Sequence, residues 1–267
     1  MGNRPSATGK VLLRLGLSVA LAISLVPYSG QAASRYDTVL KVAEQGDADA
    51  QNTLGIMYRD GRGLPKDYQQ AAYWYTKAAE QGYANAQFSL GLLYAEGLGV
   101  TQDFKQAASW YTKAAEQGYV NAQSNLGLLY ANGQGVPQDY EQAVYWYTRA
   151  VGQGNAYAQT NLGLLYDSGQ GVPQDYKQAA YWYNKAAEQG YANAQNNLGL
   201  LYAEGLGAPQ DLKQAFVWFC LAAESGFEAS VIYRDKVKGV LTPKDLAEAQ
   251  ALFVQRQREI TGQSKAN

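Results

Sequence analysis

The chain has no histidine in 267 residues and a single cysteine, Cys220. The first absence removes the commonest general base and the commonest metal ligand. The second excludes any internal disulfide. No S-x-x-K, K-T-G or G-x-S-x-G motif occurs, and no phosphate loop or metal-ligand cluster. Carboxylates are common, but nothing singles out a pair for acid–base work. These absences predict a protein that is not an enzyme, with no catalytic residue, no metal and no cofactor. Cys220 lies in the apolar run Phe216, Val217, Trp218, Phe219 and Leu221. It reads as a partly buried free thiol, with a reactive or cross-linking role as the alternative.

Charge of one sign is also missing. The 22 Lys and Arg residues face 23 Asp and Glu, for a net charge of −1. No basic stripe is present, so neither nucleic acid nor an anionic membrane surface is an expected partner. Long apolar runs are scarce. Leu15 to Val26 spans 12 residues, short of the roughly 20 that a membrane-crossing helix needs. Arg4, Lys10 and Arg14 precede that run, and Pro27 and Gly30-Gln31-Ala32 follow it. Basic residues, a short apolar stretch and small residues form the pattern of a secretory signal. Residues 1–32 are therefore expected to be cleaved after Ala32. That leaves 235 residues with 19 basic and 23 acidic side chains, and no integral membrane segment. The expected location is a Gram-negative periplasm, or the exterior as a secreted protein.

What is present in quantity is a period. Trp74, Trp110, Trp146, Trp182 and Trp218 are each 36 residues apart. Gly55, Gly91, Gly127, Gly163 and Gly199 keep the same spacing, as do Asp67, Asp103, Asp139, Asp175 and Asp211. A period between 20 and 50 residues marks a solenoid or a propeller. Within one period, residues 48–60 carry Leu54, Met57 and Tyr58 on one helical face. Residues 68–81 carry Ala71, Trp74, Tyr75, Ala78 and Ala79 at spacings of three and four. Neither segment alternates with period two. Each unit is therefore expected to be a hairpin of a helix A and a helix B.

The junctions support this reading. Asp67 followed three residues later by Gln70 predicts a capping box at the start of helix B. Gly61 and Gly63 predict a left-handed end to helix A and a tight return. Gly55, inside helix A, costs roughly 0.5–1 kcal/mol against alanine, unless it faces the ring of Trp74 or Tyr75. On that reading, Gly127→Leu destabilises far more than Ser124→Leu.

The pattern LGxxYxxGxGxxxDxxxAxxWYxKAAxxG resembles the Sel1-like repeat, a relative of the tetratricopeptide repeat. In the third unit it is carried by Leu126-Gly127-Leu128-Leu129-Tyr130, Gly133-Gln134-Gly135, Asp139 and Trp146-Tyr147. The resemblance implies an all-α, right-handed α-solenoid of five units over residues 47–226. A lone capping helix over 33–46 precedes them. Capping helices over 227–260 follow, with Thr242 and Pro243 opening the last, and 261–267 form a flexible tail. The fourth unit departs from the pattern at Gly152-Gln153-Gly154-Asn155, and a looser junction is expected there. Some secreted relatives clip each hairpin with a disulfide; those cysteine pairs are missing here.

The resemblance also implies that helix A lines a concave surface that binds another protein or an extended peptide. Variable polar positions on helix A are then the candidate site. One row reads Asn52, Phe88, Ser124, Thr160, Asn196, and the next Thr53, Ser89, Asn125, Asn161, Asn197. Arg59 and Asp167 lie further along the same helices. Asparagine offers both a donor and an acceptor, so Asn125, Asn161 and Asn197 are placed to clamp a peptide backbone. The alternative is that these amides satisfy neighbouring backbone groups, and that Phe88 fills space. The five tryptophans and five glycines are expected to be structural. Tyr75, Tyr111, Tyr147, Tyr183 and Phe219 offer a second functional reading, a glycan-binding ladder directed at peptidoglycan, which burial of Tyr111 would weaken. A weak β-lactam-binding or hydrolytic activity is a third, known for a cysteine-rich group of relatives.

Overall fold

The computed structural model describes residues 31–263, and the side chains of residues 35–262 within them. The described residues form thirteen helices and no strand. A lone helix, α1 (Gln31–Glu44), comes first. Five hairpins follow: α2 (Ala48–Asp60) with α3 (Tyr68–Glu80), α4 (Ala84–Glu96) with α5 (Phe104–Glu116), and α6 (Val120–Asn132) with α7 (Tyr140–Val151). Then come α8 (Ala156–Ser168) with α9 (Tyr176–Ala187), and α10 (Ala192–Glu204) with α11 (Leu212–Glu224). Two single helices, α12 (Glu228–Val240) and α13 (Pro243–Gln263), close the chain. Each helix from α1 to α11 packs on the next, and α13 returns to α11. The A helices also touch one another, α2 with α4 and α6 with α8, which makes them the inner layer of an all-α solenoid.

Each helix begins and ends as its residues dictate. Asp67 Oδ1 accepts from the backbone N–H of Gln69 at 2.9 Å and of Gln70 at 3.0 Å. Such a cap is worth about 1 kcal/mol. The expected second half of the capping box does not form. The Asp67 N–H donates instead to the Tyr58 carbonyl at 2.9 Å, and Asp103, Asp139, Asp175 and Asp211 do the same to Tyr94, Tyr130, Tyr166 and Tyr202. The cap residue thus ties helix B to helix A.

The two aromatic ladders divide the packing between them. A methyl group placed on Gly91 would lie 2.7 Å from Tyr111, and one on Gly163 equally close to Tyr183. The helix-A glycines face the tyrosine that follows each tryptophan, not the tryptophan. Tyr75, Tyr111, Tyr147, Tyr183 and Phe219 are at most 1% exposed and close each hairpin internally. The tryptophans bind unit to unit. Trp146 packs with Ala107, Ala108 and Tyr111 of the preceding unit, and Trp218 with Tyr183 and Ala186. Trp74, Trp146 and Trp218 are buried; Trp110 and Trp182 are half-buried.

The second glycine of the last four G-x-G turns also joins units. Gly99, Gly135, Gly171 and Gly207 all have positive φ. A methyl group on any of them would run into the backbone of Tyr68, Phe104, Tyr140 or Tyr176, at the start of the preceding helix B. No side chain fits there.

The C-terminal edge departs from expectation, and the start of the fourth unit differs from the other units. That start is regular in backbone, although α7 and α8 pack less extensively than the helices at the other unit junctions. Gly152 has ordinary helical φ, and Asn155 caps α8 by accepting from Ala158 N–H at 2.8 Å. Tyr83, Tyr119 and Tyr191 provide no such side-chain cap in their units. The helix after the fifth unit runs to Val240, and α13 continues to Gln263, so the first three residues of the expected tail are helical. The remaining four lie outside the described residues. So does the expected signal segment, apart from Gln31 and Ala32, which open α1.

Candidate functional site

The first row of candidate residues is not on a surface. Asn52 is 6% exposed, Ser124 2%, Thr160 3% and Asn196 5%. Each lies where the following unit covers it. Asn196 Oδ1 accepts from Ser230 Oγ of α12 at 2.8 Å. The Phe88 ring centroid sits 5.7 Å from that of Tyr111 and 5.0 Å from that of Tyr119, so it fills space between units. Asn52, Phe88 and Asn196 are therefore packing residues. The physical reason is helical geometry: residues 52 and 53 are about 100° apart on helix A, and only one of them faces out.

The second row is half-exposed, and its amides already have partners. Asn161 Nδ2 donates to the Tyr157 carbonyl at 2.8 Å. Asn197 accepts from Asn196 Nδ2 at 3.3 Å. Burial pushes the Tyr111 and Tyr183 hydroxyls well above their ordinary range, and bonds to Asn125 and Asn197 oppose the shift. Each asparagine retains part of its hydrogen-bonding capacity for a ligand. Arg59 is held by Asp60 at 2.7 Å, and Arg62 reaches the same carboxylate at 2.8 Å. Asp167 accepts from the Tyr183 hydroxyl at 3.4 Å. These two positions are tied into the fold.

The sequence reading missed the apolar part of this face. Ile56, Leu92, Leu128, Leu164 and Leu200 recur every 36 residues, three positions beyond the second row. They share its face. Ile56, Leu92, Leu128 and Leu200 are half-buried, and Leu164 is 42% exposed while its neighbours Leu162 and Leu165 are 2% and 5%. Glu96, Asn132, Ser168 and Glu204 continue the face as exposed polar residues. The inner surface is thus an aliphatic stripe between amides on one side and polar or acidic groups on the other. The signal lay in the paired leucines of each LGLLY, one of which has no core position to fill.

The outer surface carries a different row. Tyr73, Tyr145 and Tyr181 are 50%, 49% and 51% exposed. Each stands edge-on to the adjacent tryptophan at 4.8–5.0 Å between ring centroids. Lys77, Arg149 and Lys185 lie 5.5–5.8 Å from the same tyrosine rings. In the fifth unit these positions are Val217 and Leu221, 1% and 5% exposed under α13. There Arg256 of α13 supplies the cation, 4.9 Å from the Trp218 ring centroid.

Burial pushes the Cys220 thiol up to about 11, so it stays protonated and poorly nucleophilic at neutral pH. No helix of the described residues is long and apolar enough to cross a membrane.

Comparison with known proteins places this architecture. The family model of the Sel1 repeat matches residues 48–83, 84–119, 120–155, 156–191 and 192–227. A Sel1 repeat protein from Oxalobacter formigenes is similar, with 37% identity over 72% of this chain and 82% of that one, and a TM-score of 0.65. The c5321 protein, a protective antigen of uropathogenic Escherichia coli strains with an SLR fold, shares 33% identity over 88% of this chain. Its TM-score is 0.57, and the match spans 60% of its own length. A search of curated proteins returned no match. Sel1 repeat proteins generally act as scaffolds for protein–protein interaction. Five matched repeats over most of its length show that the chain belongs to the Sel1 repeat family.

Proposed function

We propose that this protein is a non-catalytic scaffold that holds an extended segment of another protein along its inner face. The observation that carries the reading is the aliphatic row of half-buried Leu92 and Leu128 and exposed Leu164, where the adjacent leucines of each helix are buried. A contiguous exposed apolar stripe edged by polar groups marks an interaction surface. Asn125, Asn161 and Asn197 stand beside it with hydrogen-bonding capacity left over, fit for the backbone of a strand-like ligand. The basic, apolar and small-residue pattern of residues 1–32 supports export, so the partner is sought among periplasmic or secreted proteins.

The test is affinity capture from a periplasmic fraction with the processed chain and with a Leu92→Asn/Leu128→Asn/Leu164→Asn variant of unchanged circular dichroism. Proteins retained by the first and lost by the second support the proposal. Identical captures defeat it. The mass of the exported protein reports whether the chain is cut after Ala32.

The glycan reading moves to another place. Tyr111 is buried, so the expected ladder is unavailable to a sugar. The exposed outer tyrosines, Tyr73, Tyr145 and Tyr181, favour it instead, since each offers an aromatic ring beside a cation. Binding of the processed chain to purified sacculi, lost on replacing those three by serine (the residue at position 109), separates this second reading from the first.

A further inference from the structure

The ladder inside the hairpins has two kinds of member. Read along the stack it is Val39, Tyr75, Tyr111, Tyr147, Tyr183 and Phe219. The four central members carry a hydroxyl and the two ends do not. Packing does not require it. Phe219 is 0% exposed, and a methyl group on Gly199 would lie 2.7 Å from its ring, as one on Gly91 would from Tyr111. Yet the hydroxyls of Tyr75 and Tyr147 are buried with no hydrogen-bond partner. A buried donor without an acceptor destabilises the fold, and phenylalanine avoids this at the same position of the fifth unit. The hydroxyls therefore need a reason other than packing.

Their placement supplies one. Each tyrosine ring passes the helix-A glycine of its own unit. The hydroxyl then comes up between the end of that helix and the second row of the next unit. Tyr183 donates to Asp167 at 3.4 Å and lies beside Asn197. Tyr111 lies beside Glu96 and Asn125, and Tyr75 beside Asp60 and Ser89. Tyr147 lies beside Tyr157 and stands at the same sequence offset from Asn161. The four hydroxyls thus form a floor beneath the half-exposed Ser89, Asn125, Asn161 and Asn197. At the C-terminal end, where Phe219 lacks the hydroxyl, the second row changes with it. Tyr233 takes the place of the asparagine and stacks on that ring, with centroids 5.4 Å apart.

We propose that Tyr75, Tyr111, Tyr147 and Tyr183 are positioning residues for a peptide backbone held on the inner face, an inference that rests on that face being the binding surface. Each hydroxyl acts through the second-row side chain above it. The junction of the third and fourth units shows the step. Asn161 Nδ2 donates to the Tyr157 carbonyl of its own helix at 2.8 Å, while the Tyr147 hydroxyl has no acceptor. A ligand carbonyl that draws Nδ2 off the helix turns the amide, and Oδ1 then accepts from the Tyr147 hydroxyl. One side chain thereby bonds the ligand and satisfies the buried donor. An extended peptide offers an unpaired C=O and N–H in almost every residue, so it carries the groups that this exchange needs.

The probe is a short peptide selected from a random phage-displayed library on the full chain, and kept only if Leu92→Asn/Leu128→Asn/Leu164→Asn abolishes its binding. Fluorescence anisotropy of the labelled peptide gives the dissociation constants. Tyr147→Phe is expected to weaken binding by about three- to tenfold, the size of one neutral hydrogen bond, with a melting midpoint no lower than that of the wild type. In an Asn161→Ala background the same substitution is expected to change the affinity by less than about twofold, since the hydroxyl acts through that amide. A leucine-dependent peptide that binds Tyr147→Phe as tightly as the wild type overturns the proposal and leaves the inner face as the binding surface. A lowered melting midpoint makes the hydroxyl a structural group and overturns it as well. Equal losses in both backgrounds overturn the route through Asn161. A selection that yields no leucine-dependent peptide overturns both this proposal and the inner-face reading.

Discussion

Gln117 donates through one amide nitrogen to Gln87 Oε1 at 2.8 Å and to the Gly82 carbonyl at 3.0 Å. Gln87 in turn donates to the Ala79 carbonyl at 3.1 Å. One relay therefore joins the end of α5, the start of α4 and the end of the preceding helix B. Gln81 with Gln51, Gln153 with Gln123 and Gln189 with Gln159 repeat the glutamine pair. Sequence patterning does not show what these glutamines hold, because the partners are 30 and 35 residues apart.

The fifth unit breaks the relay. Ser225 replaces the glutamine, and the buried Gln195 Oε1 has no partner. Ser225→Gln is expected to stabilise the protein by about 0.5–1.5 kcal/mol, and Gln117→Leu to destabilise it by about 1–3 kcal/mol through the stranded Gln87 acceptor. Urea titration of both variants measures this; an unchanged Ser225→Gln midpoint would mean that solvent already satisfies Gln195.

Gly127→Ala places a methyl 2.8 Å from the Tyr147 ring. Overpacking of this kind costs about 1–3 kcal/mol. Ser124 fails as the comparison position, since it is 2% exposed. Asn132→Ala, at an exposed position of the same helix, is expected to stay within about 0.5 kcal/mol of wild type. Thermal melts of the pair decide whether the close approach or the helix alone sets the cost.

Gly135 and Gly118 both have positive φ, but only Gly135 abuts another unit, at the Phe104 backbone. Gly118→Ala is expected to cost about 1–2 kcal/mol from left-handed strain alone. Gly135→Ala adds a backbone collision and is expected to cost more and to split unfolding into two transitions at the junction of α5 and α6. Differential scanning calorimetry distinguishes one transition from two. A single transition with equal losses for both variants would show that this glycine does not couple the units.

Without histidine, the chain lacks the side chain that ordinarily changes charge between about pH 6 and 8, and the melting temperature is expected to be flat there. Alkali is different. Burial raises Tyr75 and Tyr157 to about 12. A tyrosine whose folded-state value exceeds its unfolded one near 10 keeps its contribution below pH 10 and loses it as pH climbs toward 12. Far-ultraviolet circular dichroism against pH should show stability falling from about pH 10 upward, alongside tyrosinate absorbance. Tyrosinate formation at pH 10 by all tyrosines, without loss of helix, would contradict the burial.

The helices, their caps and the glycine–tyrosine packing were legible because each depends on residues within one period. Asp67, Gly61 and Gly55 act on neighbours a few to twenty positions away. The candidate site was only partly legible. Residues 52 and 53 look equally variable, yet one meets the next unit and the other meets solvent, and only the stacking angle decides. The same angle turns Leu164 outward while Leu162 and Leu165 turn in. Sequence reading put Leu54 and Met57, the equivalents of Leu162 and Leu165, on one face and assigned no role to the position of Leu164.

The replacement of Tyr73, Tyr145 and Tyr181 by Val217, and of the cations by Leu221, adapts the fifth unit to the helix that covers it. That makes the last hairpin non-interchangeable. A gene duplication that copied it inward would leave an oily patch bare, and one that moved the fourth unit outward would push tyrosine and lysine beneath α13. The array can gain or lose length only among its first four hairpins. Lineages of this protein are therefore expected to differ in repeat number by insertions upstream of residue 192, with the last hairpin and its two closing helices inherited as one block.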